Sequence, residues 1–183
     1  MSLKGKVPAR YPEDRLLEED LGRWWVLHTK PNCERQVATY LLYRNISYYL
    51  PLYLKRSRFG NLGRFRTTET PLFNGYLCIA LEREEHRLLY DSKKFVRIIK
   101  VDDQETFVRE LQGISRAIKL EEDLHVQDGL LPGKRVLILD GPLKGTEGVV
   151  VRRRGERQFG LSVKMFNQTV LVKLDHLTQV EVL

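Results

Sequence analysis

The sequence predicts two folded parts of different class: an α+β domain with helices on a mainly antiparallel sheet, and a small all-β barrel of five strands. Strand and helix patterns alternate in the first part, whereas the second shows only alternating apolar and polar positions. An acidic, irregular stretch separates the two and runs into Pro132-Gly133. We expect a flexible tail over residues 1–22, an N-terminal domain over 23–119, a linker over 120–132 and a C-terminal domain over 133–183.

The N-terminal domain is predicted to follow the order β-α-β-β-β-α-β-α. The aromatic and apolar run at residues 24–29 indicates a first strand, and Asn32 is placed to cap a helix that continues to Asn45. A second strand is expected over residues 47–54, with Pro51 at an edge or bulge position because proline has no amide to donate. The tail before this domain has two prolines and mixed charge, which favours loose structure.

The rest of this domain is predicted from local patterns. A hairpin turn fits at Gly60-Asn61 or at Gly63, and Asp102 or Asp103 can cap the last helix. The remaining elements are a strand over 67–81 with a buried second half, a short helix within 82–92, a strand over 95–101 and an amphipathic helix over 104–119.

Composition bounds the function. The chain has 183 residues, 31 Lys and Arg against 24 Asp and Glu, and a net charge of +7, which favours anionic partners such as nucleic acid. Cys33 and Cys78 lack neighbouring ligands at metal spacing, so we expect no metal and a reduced, intracellular protein. We also expect no cofactor and a cytoplasmic monomer. No apolar run approaches the roughly 20 residues that span a bilayer, which predicts no membrane partner.

A glycine-rich segment opens the C-terminal domain. Gly133, Gly141-Pro142, Gly145 and Gly148 punctuate two strands, and glycine suits turns that need positive φ or close backbone approach. With Val136, Ile138 and Val150, this spacing resembles the KOW motif. KOW barrels occur in transcription factors and in several ribosomal proteins, so the motif alone leaves the function open.

The N-terminal domain separates those alternatives. Residues 24–30 (Trp-Trp-Val-Leu-His-Thr-Lys) and 71–77 (Pro-Leu-Phe-Asn-Gly-Tyr-Leu) resemble the NusG N-terminal domain, as does Phe95-Val96-Arg97-Ile98. Asn74 stands where the family usually has proline. Over residues 23–183 the chain resembles NusG-type transcription elongation and antitermination factors, and its Pro-Leu-Phe turn resembles the specialised, operon-directed paralogues.

The resemblance implies a polymerase-binding patch on the N-terminal domain. Family members dock an apolar patch on the clamp helices of the largest RNA polymerase subunit. Carried onto this sequence, the patch consists of Phe73, Tyr76, Cys78, Phe95 and Ile98. The alternative is that these are core residues, above all Cys78 and Phe95, whereas the phenol of Tyr76 suits a half-wet interface.

A group of cations indicates a nucleic-acid interface. These cations could face upstream or non-template DNA, and Phe59 or Phe65 could stack on an unpaired base. The group consists of Lys30, Arg35, Lys55, Arg56, Arg58, Arg64 and Arg66. The alternative is a solubilising hairpin tip.

The resemblance also implies a recruiting site in the C-terminal domain. In the general factor this domain binds a ribosomal protein or a termination factor, and Phe166, Asn167 and Gln168 match the binding segment, with Phe166 as an exposed anchor. Gln168 replaces the family's basic residue there. Residues 152–154, all arginine, form with Arg157 a basic hairpin that faces either RNA or solvent.

Two other functions compete with a polymerase-bound factor. A ribosome-associated KOW protein that binds RNA would explain the charge and the barrel but not the N-terminal domain. An enzyme is not expected, because Cys33 and His28 lack a third orienting group in the sequence pattern. The strong β alternation after residue 133 argues against a stable helical form of the C-terminal domain.

Overall fold

The computed structural model describes residues 7–59, 64–82, 86–120, 124–153, 155–175 and 177–183. The described residues within Met1–Pro51 and Phe73–Gln104 form a first compact unit, and those within Leu52–Leu72 and Glu105–Leu183 form a second. The turn of the basic hairpin was expected at Gly60-Asn61 or at Gly63, and these positions lie outside the described residues.

The described residues contain thirteen strands and three α-helices. In chain order these are β1 (Arg10–Tyr11), β2 (Arg23–Thr29), α1 (Glu34–Tyr43), β3 (Ser47–Tyr49), β4 (Leu52–Phe59), β5 (Arg64–Pro71), β6 (Tyr76–Leu81), α2 (His86–Tyr90), β7 (Phe95–Lys100), α3 (Gln104–Leu120), β8 (His125–Asp128), β9 (Arg135–Ile138), β10 (Glu147–Arg153), β11 (Glu156–Val163), β12 (Gln168–Lys173) and β13 (Val180–Val182). Leu17–Glu19 and Lys164–Phe166 are single turns of 3-10 helix. No helix among these residues has the length and apolarity needed to cross a membrane.

The first unit is built on a five-stranded antiparallel sheet in the order β1-β3-β6-β2-β7. The central strands β2 and β6 bury Val26, Leu27, Leu77 and Ile79, as expected for strands flanked on both sides. The predicted antiparallel sheet with few helices is confirmed. The strand expected over residues 47–54 is instead two strands, because the chain breaks at Pro51, which has no amide to continue a ladder.

The segment before β2 is more ordered than a flexible tail. Residues 10 and 11 form β1 against β3, and the indole Nε1 of Trp24 donates to the Leu17 carbonyl at 3.2 Å. The carboxylate of Asp20 is fully buried and accepts from Arg10 at 2.8 Å. Burial raises the pKa of Asp20, and the neighbouring guanidinium groups of Arg10 and Arg15 oppose that shift. Composition missed these contacts because strand pairing and the burial of single polar groups leave no mark on it.

Helix α1 begins one residue later than predicted. Its N-cap is Cys33, which makes no side-chain capping bond, and Asn32 adopts a left-handed conformation (φ 57°) instead of capping. The buried carboxylate of Glu34 at the first helical position accepts from the Gly75 amide at 2.6 Å. The start of α1 is therefore held to the turn before β6.

The second unit contains a six-stranded antiparallel sheet in the order β13-β9-β10-β11-β12-β8, and a separate two-stranded sheet, β4-β5. Five of the six strands fall within residues 133–183, as the alternation predicted. The sixth, β8, lies in the expected linker and pairs with β12 from Gln168↔Asp128 to Leu171↔His125. The apolar–polar pattern of residues 125–128 is too short to signal a strand without its neighbour.

The glycines of the β9–β10 connection serve the roles that their spacing indicated. Gly141 and Gly145 have positive φ (69° and 76°), and the Gly145 amide donates to the Ile138 carbonyl at 2.8 Å. A methyl group at Gly148 would lie 2.5 Å from the Gly160 carbonyl oxygen. The turn and the close β10–β11 approach therefore require glycine at these positions.

Candidate partner-binding and nucleic-acid-binding surfaces

Tyr76 lies at the end of the first unit's sheet, directly after a turn that is held by hydrogen bonds. The Gly75 amide donates to Glu34, and the Gly75 carbonyl accepts from Thr29 at 2.8 Å. Antiparallel pairing sets Tyr76 opposite His28, and the two rings stack with centroids 5.3 Å apart and planes 19° from parallel. Both side chains remain half-buried, so the stack presents part of its surface to solvent.

Phe95 lies near the same end of this sheet, because β7 begins where β2 ends. It pairs with Thr29 across an irregularity in the ladder, and its ring contacts Tyr90 of α2 with centroids 5.6 Å apart. Tyr90 is 63% exposed and Val96 is 62% exposed. An apolar strip of α2 and β7 is therefore open to solvent within this unit.

Phe73 and Cys78 of the expected polymerase patch do not join this strip, and Ile98 does not share a sheet face with Tyr76. Phe73 and Cys78 are buried, 1% and 0% exposed, so their side chains belong to the core and the expectation of an exposed position was wrong. Ile98 pairs with Leu27, whose side chain alternates to the face opposite His28 and Tyr76. Strand alternation therefore divides a set that the sequence placed together.

The hairpin β4–β5 carries five of the predicted cations in one place. Lys55, Arg56, Arg58, Arg64 and Arg66 are all exposed. The register Arg58↔Phe65 places Arg56, Arg58 and Phe65 on one face, while Lys55, Arg64 and Arg66 fall on the other.

Phe65 is an exposed aromatic held by cations. It is 54% exposed, and the guanidinium carbons of Arg56 and Arg58 lie 4.3 and 5.9 Å from its ring centroid. Such contacts are worth about 0.5–1 kcal/mol at exposed sites, enough to orient a ring that stays accessible. The side chain of Phe59, the other predicted stacking residue, lies outside the described residues.

Lys30 and Arg35, the remaining predicted cations, belong to the first unit. Lys30 is exposed just after β2, and Arg35 is half-buried in the first turn of α1. They flank the turn around Cys33 in the first unit, whereas the basic hairpin belongs to the second unit.

The predicted recruiting segment of the second unit is covered by α3. Phe166, expected as an exposed anchor, is only 5% exposed and packs edge-on against Phe107, with ring centroids 6.2 Å apart. Asn167 has positive φ (51°) after the 3-10 turn, and Gln168 donates to Asp128 at 3.1 Å. The expectation of exposure was wrong because the pattern of residues 165–169 cannot report what packs on it.

Residues along α3 make these contacts. Glu110 accepts from the Lys164 amide at 3.2 Å, and Arg116 donates to the Lys144 carbonyl and the Thr146 hydroxyl, each at 3.1 Å. A methyl group at Gly113 would lie 2.9 Å from the Thr146 Cγ2 atom. With Phe107, these residues recur every three positions, so the contacts wrap around α3 over successive turns.

Sequence reasoning missed several of these residues. Glu110, Gly113 and Arg116 were not singled out, although a glycine inside a 17-residue helix is a signal of close packing. Tyr90 and Val96 were missed because single exposed apolar residues in short elements carry no periodicity.

In the described part of the chain, no three or more His, Cys, Asp or Glu side chains converge on a possible metal position. Cys78 is buried in β6, and burial raises the pKa of its thiol, which keeps it protonated.

One family of known proteins matches more than half of this chain. Residues 22–130 match the family described as NusG, transcription termination factor nusG. A solved structure titled "Domain interaction in Thermotoga maritima NusG" is similar at a TM-score of 0.47 and 21% identity, covering 87% of this chain and 96% of that chain. No curated protein sequence matches the chain.

Proposed function

This chain belongs to the NusG family of transcription factors, and from that premise we propose that its first unit docks on the clamp helices of the largest RNA polymerase subunit. Members of this family act in transcription elongation and termination, interact with RNA polymerase and are not enzymes. We further propose that this chain acts in antitermination by bridging the polymerase cleft.

The half-exposed stack of Tyr76 on His28 is the observation that carries the proposal. The Glu34–Gly75–Thr29 bonds hold the backbone next to Tyr76, and the His28 ring stacks on its side chain, so docking would cost little side-chain ordering. The exposed Tyr90 and the half-buried Phe95 that contacts it offer apolar area of the kind that an amphipathic partner helix covers. Phe73 and Cys78 support this surface from the core instead of touching the partner.

Replacing Tyr76 with alanine tests this docking site. Because a central aromatic anchor typically contributes at least about 2 kcal/mol, we expect polymerase affinity to fall by about 30-fold or more. Binding of purified polymerase to the full-length chain would be measured by biolayer interferometry. Tyr43→Ala is the matched control, since Tyr43 is 58% exposed on α1 and lies outside the proposed surface.

Equal affinity of the two alanine variants would contradict the docking site, provided that their circular dichroism matches that of the unaltered chain. Affinity capture from cells separates the alternative function. Polymerase subunits in the captured material support the proposal, whereas ribosomal RNA without polymerase would favour a ribosome-associated RNA-binding protein.

The basic hairpin β4–β5 is proposed to contact upstream or non-template DNA. Its five exposed cations supply the phosphate attraction, and Phe65 offers a ring on which an unpaired base could stack. Lys30 and Arg35 are proposed as further phosphate contacts from the first unit.

We also propose that the KOW-like sheet recruits a ribosomal protein or a termination factor through Phe166, Asn167 and Gln168. Since Phe107 covers Phe166, such a partner would have to displace α3 before it could reach the anchor. The contacts of Glu110 and Arg116 with the sheet would then set the free-energy cost of recruitment.

A further inference from the structure

The stack of Tyr76 on His28 continues into a cation at the open edge of the first unit's sheet. His28 of β2 pairs with Tyr76 of β6 on one side and with Arg97 of β7 on the other. Residues paired across strands project from the same face, so the two rings and the guanidinium group form one row. β7 is the last strand of this sheet, and Arg97 is exposed on it, whereas both rings are half-buried.

Arg97 has no acidic partner in the described part of the chain. Neither β2 nor β7 contains an acidic residue. The described carboxylates beside the turn and at the two ends of β7 include three with other partners: Glu34 with the Gly75 amide at 2.6 Å, Asp91 with Arg44 at 3.9 Å and Asp102 with Lys100 at 2.9 Å. Arg97 itself takes part in no ion pair, hydrogen bond or ring contact with another described residue.

Further cations lie at the same end of the sheet. Lys30 follows β2, and its amide donates to the Lys94 carbonyl at 2.9 Å, which sets these two residues beside each other just before β7. Both side chains are exposed, as is that of Lys93. A negatively charged group is therefore attracted to this end of the sheet, where Arg97 is the cation in line with the rings.

The length of the row matches the width of a helix. Neighbouring strands lie about 4.7–4.9 Å apart, so Tyr76 and Arg97, which are two strands apart, are separated by about 10 Å. An α-helix with its side chains is about 10–12 Å wide. A helix that covers the stack of Tyr76 on His28 therefore also covers Arg97 and removes part of its water. Because burying an unpaired charge costs free energy, the bound helix must supply an acceptor.

We propose that the helix that docks on the Tyr76–His28 stack is acidic at its margin and places a carboxylate on Arg97. This inference rests on the docking site proposed above and specifies the chemistry of its partner. A guanidinium group donates to a carboxylate through a two-bond fork, which favours one orientation of the bound helix. Cations on an edge strand also discourage pairing with other chains, and Arg97 shares that role with Lys100 of the same strand.

Binding of the full-length chain to purified core RNA polymerase, free of nucleic acid, tests the proposal. Arg97→Gln would be compared with Lys100→Gln, which removes an exposed cation from the opposite face of β7, since Lys100 pairs with Trp25. We expect Arg97→Gln to weaken binding about tenfold, because a charge-assisted contact is lost, and Arg97→Glu to weaken it further. Lys100→Gln should change affinity by no more than about twofold. Circular dichroism checks that each variant folds.

A charge exchange identifies the group that Arg97 contacts. Each Asp or Glu of the polymerase clamp helices would be changed to Lys in turn and tested against Arg97→Glu. One exchanged polymerase should bind Arg97→Glu at least about tenfold more tightly than the unaltered polymerase does, because opposite charges again face each other. If no exchange restores binding, Arg97 does not contact an acidic residue of these helices and the proposal fails.

The outcomes separate this inference from the docking site itself. If Tyr76→Ala lowers affinity while Arg97→Gln binds like Lys100→Gln, the carboxylate contact is wrong and the docking site stands. If neither Tyr76→Ala nor Arg97→Gln lowers affinity, both proposals are wrong. A loss for Arg97→Gln that appears only when the polymerase carries DNA would also overturn the carboxylate contact, in favour of a phosphate ligand.

Discussion

The two arginine-rich hairpins of this chain, β4–β5 and β10–β11, are built in different ways. The first forms a two-stranded sheet of its own, and its residues 64–68 are all exposed. The second is part of a six-stranded sheet and buries Phe159 and Leu161 at its base. The arginines of β4–β5 therefore lie on an exposed ribbon, whereas those of β10–β11 lie on a hairpin that packs against a core.

The two hairpins also differ in whether their phenylalanine is exposed or buried. Phe65 contacts Arg56 and Arg58 and stays half-exposed, so its apolar area is available to a ligand. Phe159 is fully buried and its area is used in folding. An isolated two-stranded ribbon is marginally stable, so β4–β5 can adapt to a bound strand in a way that β10–β11 cannot.

The largest expected effect separates the two phenylalanines. Phe159→Ala should destabilise the second unit by about 4 kcal/mol, because it removes buried area and leaves a cavity. Phe65→Ala should change stability by no more than about 1 kcal/mol, since it loses only exposed cation–π contacts. Urea denaturation with hydrogen exchange at the β11 amides would measure both. Equal losses would mean that Phe65 also supports a core, and the contrast would fail.

A smaller effect is expected from two glycines of the packed hairpin. Gly148→Ala brings a methyl group within 2.6 Å of the Phe159 ring, as well as against the Gly160 carbonyl, and should cost about 2–3 kcal/mol. Gly155→Ala meets open space but keeps a left-handed φ, which should cost about 1 kcal/mol. Thermal unfolding monitored by circular dichroism ranks the two. A smaller loss of stability for Gly148→Ala than for Gly155→Ala would show that the base of the hairpin accommodates a methyl group better than its tip does.

The smallest expected effect concerns binding by β4–β5 and leaves stability unchanged. Arg56→Gln/Arg58→Gln should flatten the salt dependence of duplex DNA affinity by about 1.8, because each phosphate contact contributes about 0.9. Fluorescence anisotropy titrations at several salt concentrations measure this slope, with Lys134→Gln/Lys144→Gln as the charge-matched control. If the control flattens the slope equally, the hairpin arginines contribute no more to DNA binding than other exposed cations.

Local sequence patterns were sufficient to predict much of the fold. The strand pattern at residues 24–29, the amphipathic helix over 104–119 and the β alternation after residue 133 each correspond to an observed element. Turn glycines such as Gly141 and Gly145 also follow from the sequence, because positive φ is a property of the residue and its turn. The family follows from these motifs in order, and the match over residues 22–130 confirms it.

The candidate sites were less predictable, since exposure depends on what packs against a strand. Cys78 lies on a flanked central strand, and Ile98 alternates to the face away from Tyr76, although both fitted the family's apolar patch. The basic hairpin was predicted well because charge and exposure go together, and no distant segment is needed to place its cations.

What the sequence by itself determined is the periodicity, the turns and the sign of the charge. What only the tertiary structure decided is which apolar faces are covered. Phe107 covers Phe166, β8 adds a strand beside β12, and the buried Asp20 holds Arg10 near the first sheet. The first two of these contacts join residues far apart in the chain, and the third depends on how the segment before β2 folds back on itself. A local pattern reports which side of a segment is apolar, but the partner that buries that side is chosen by the fold.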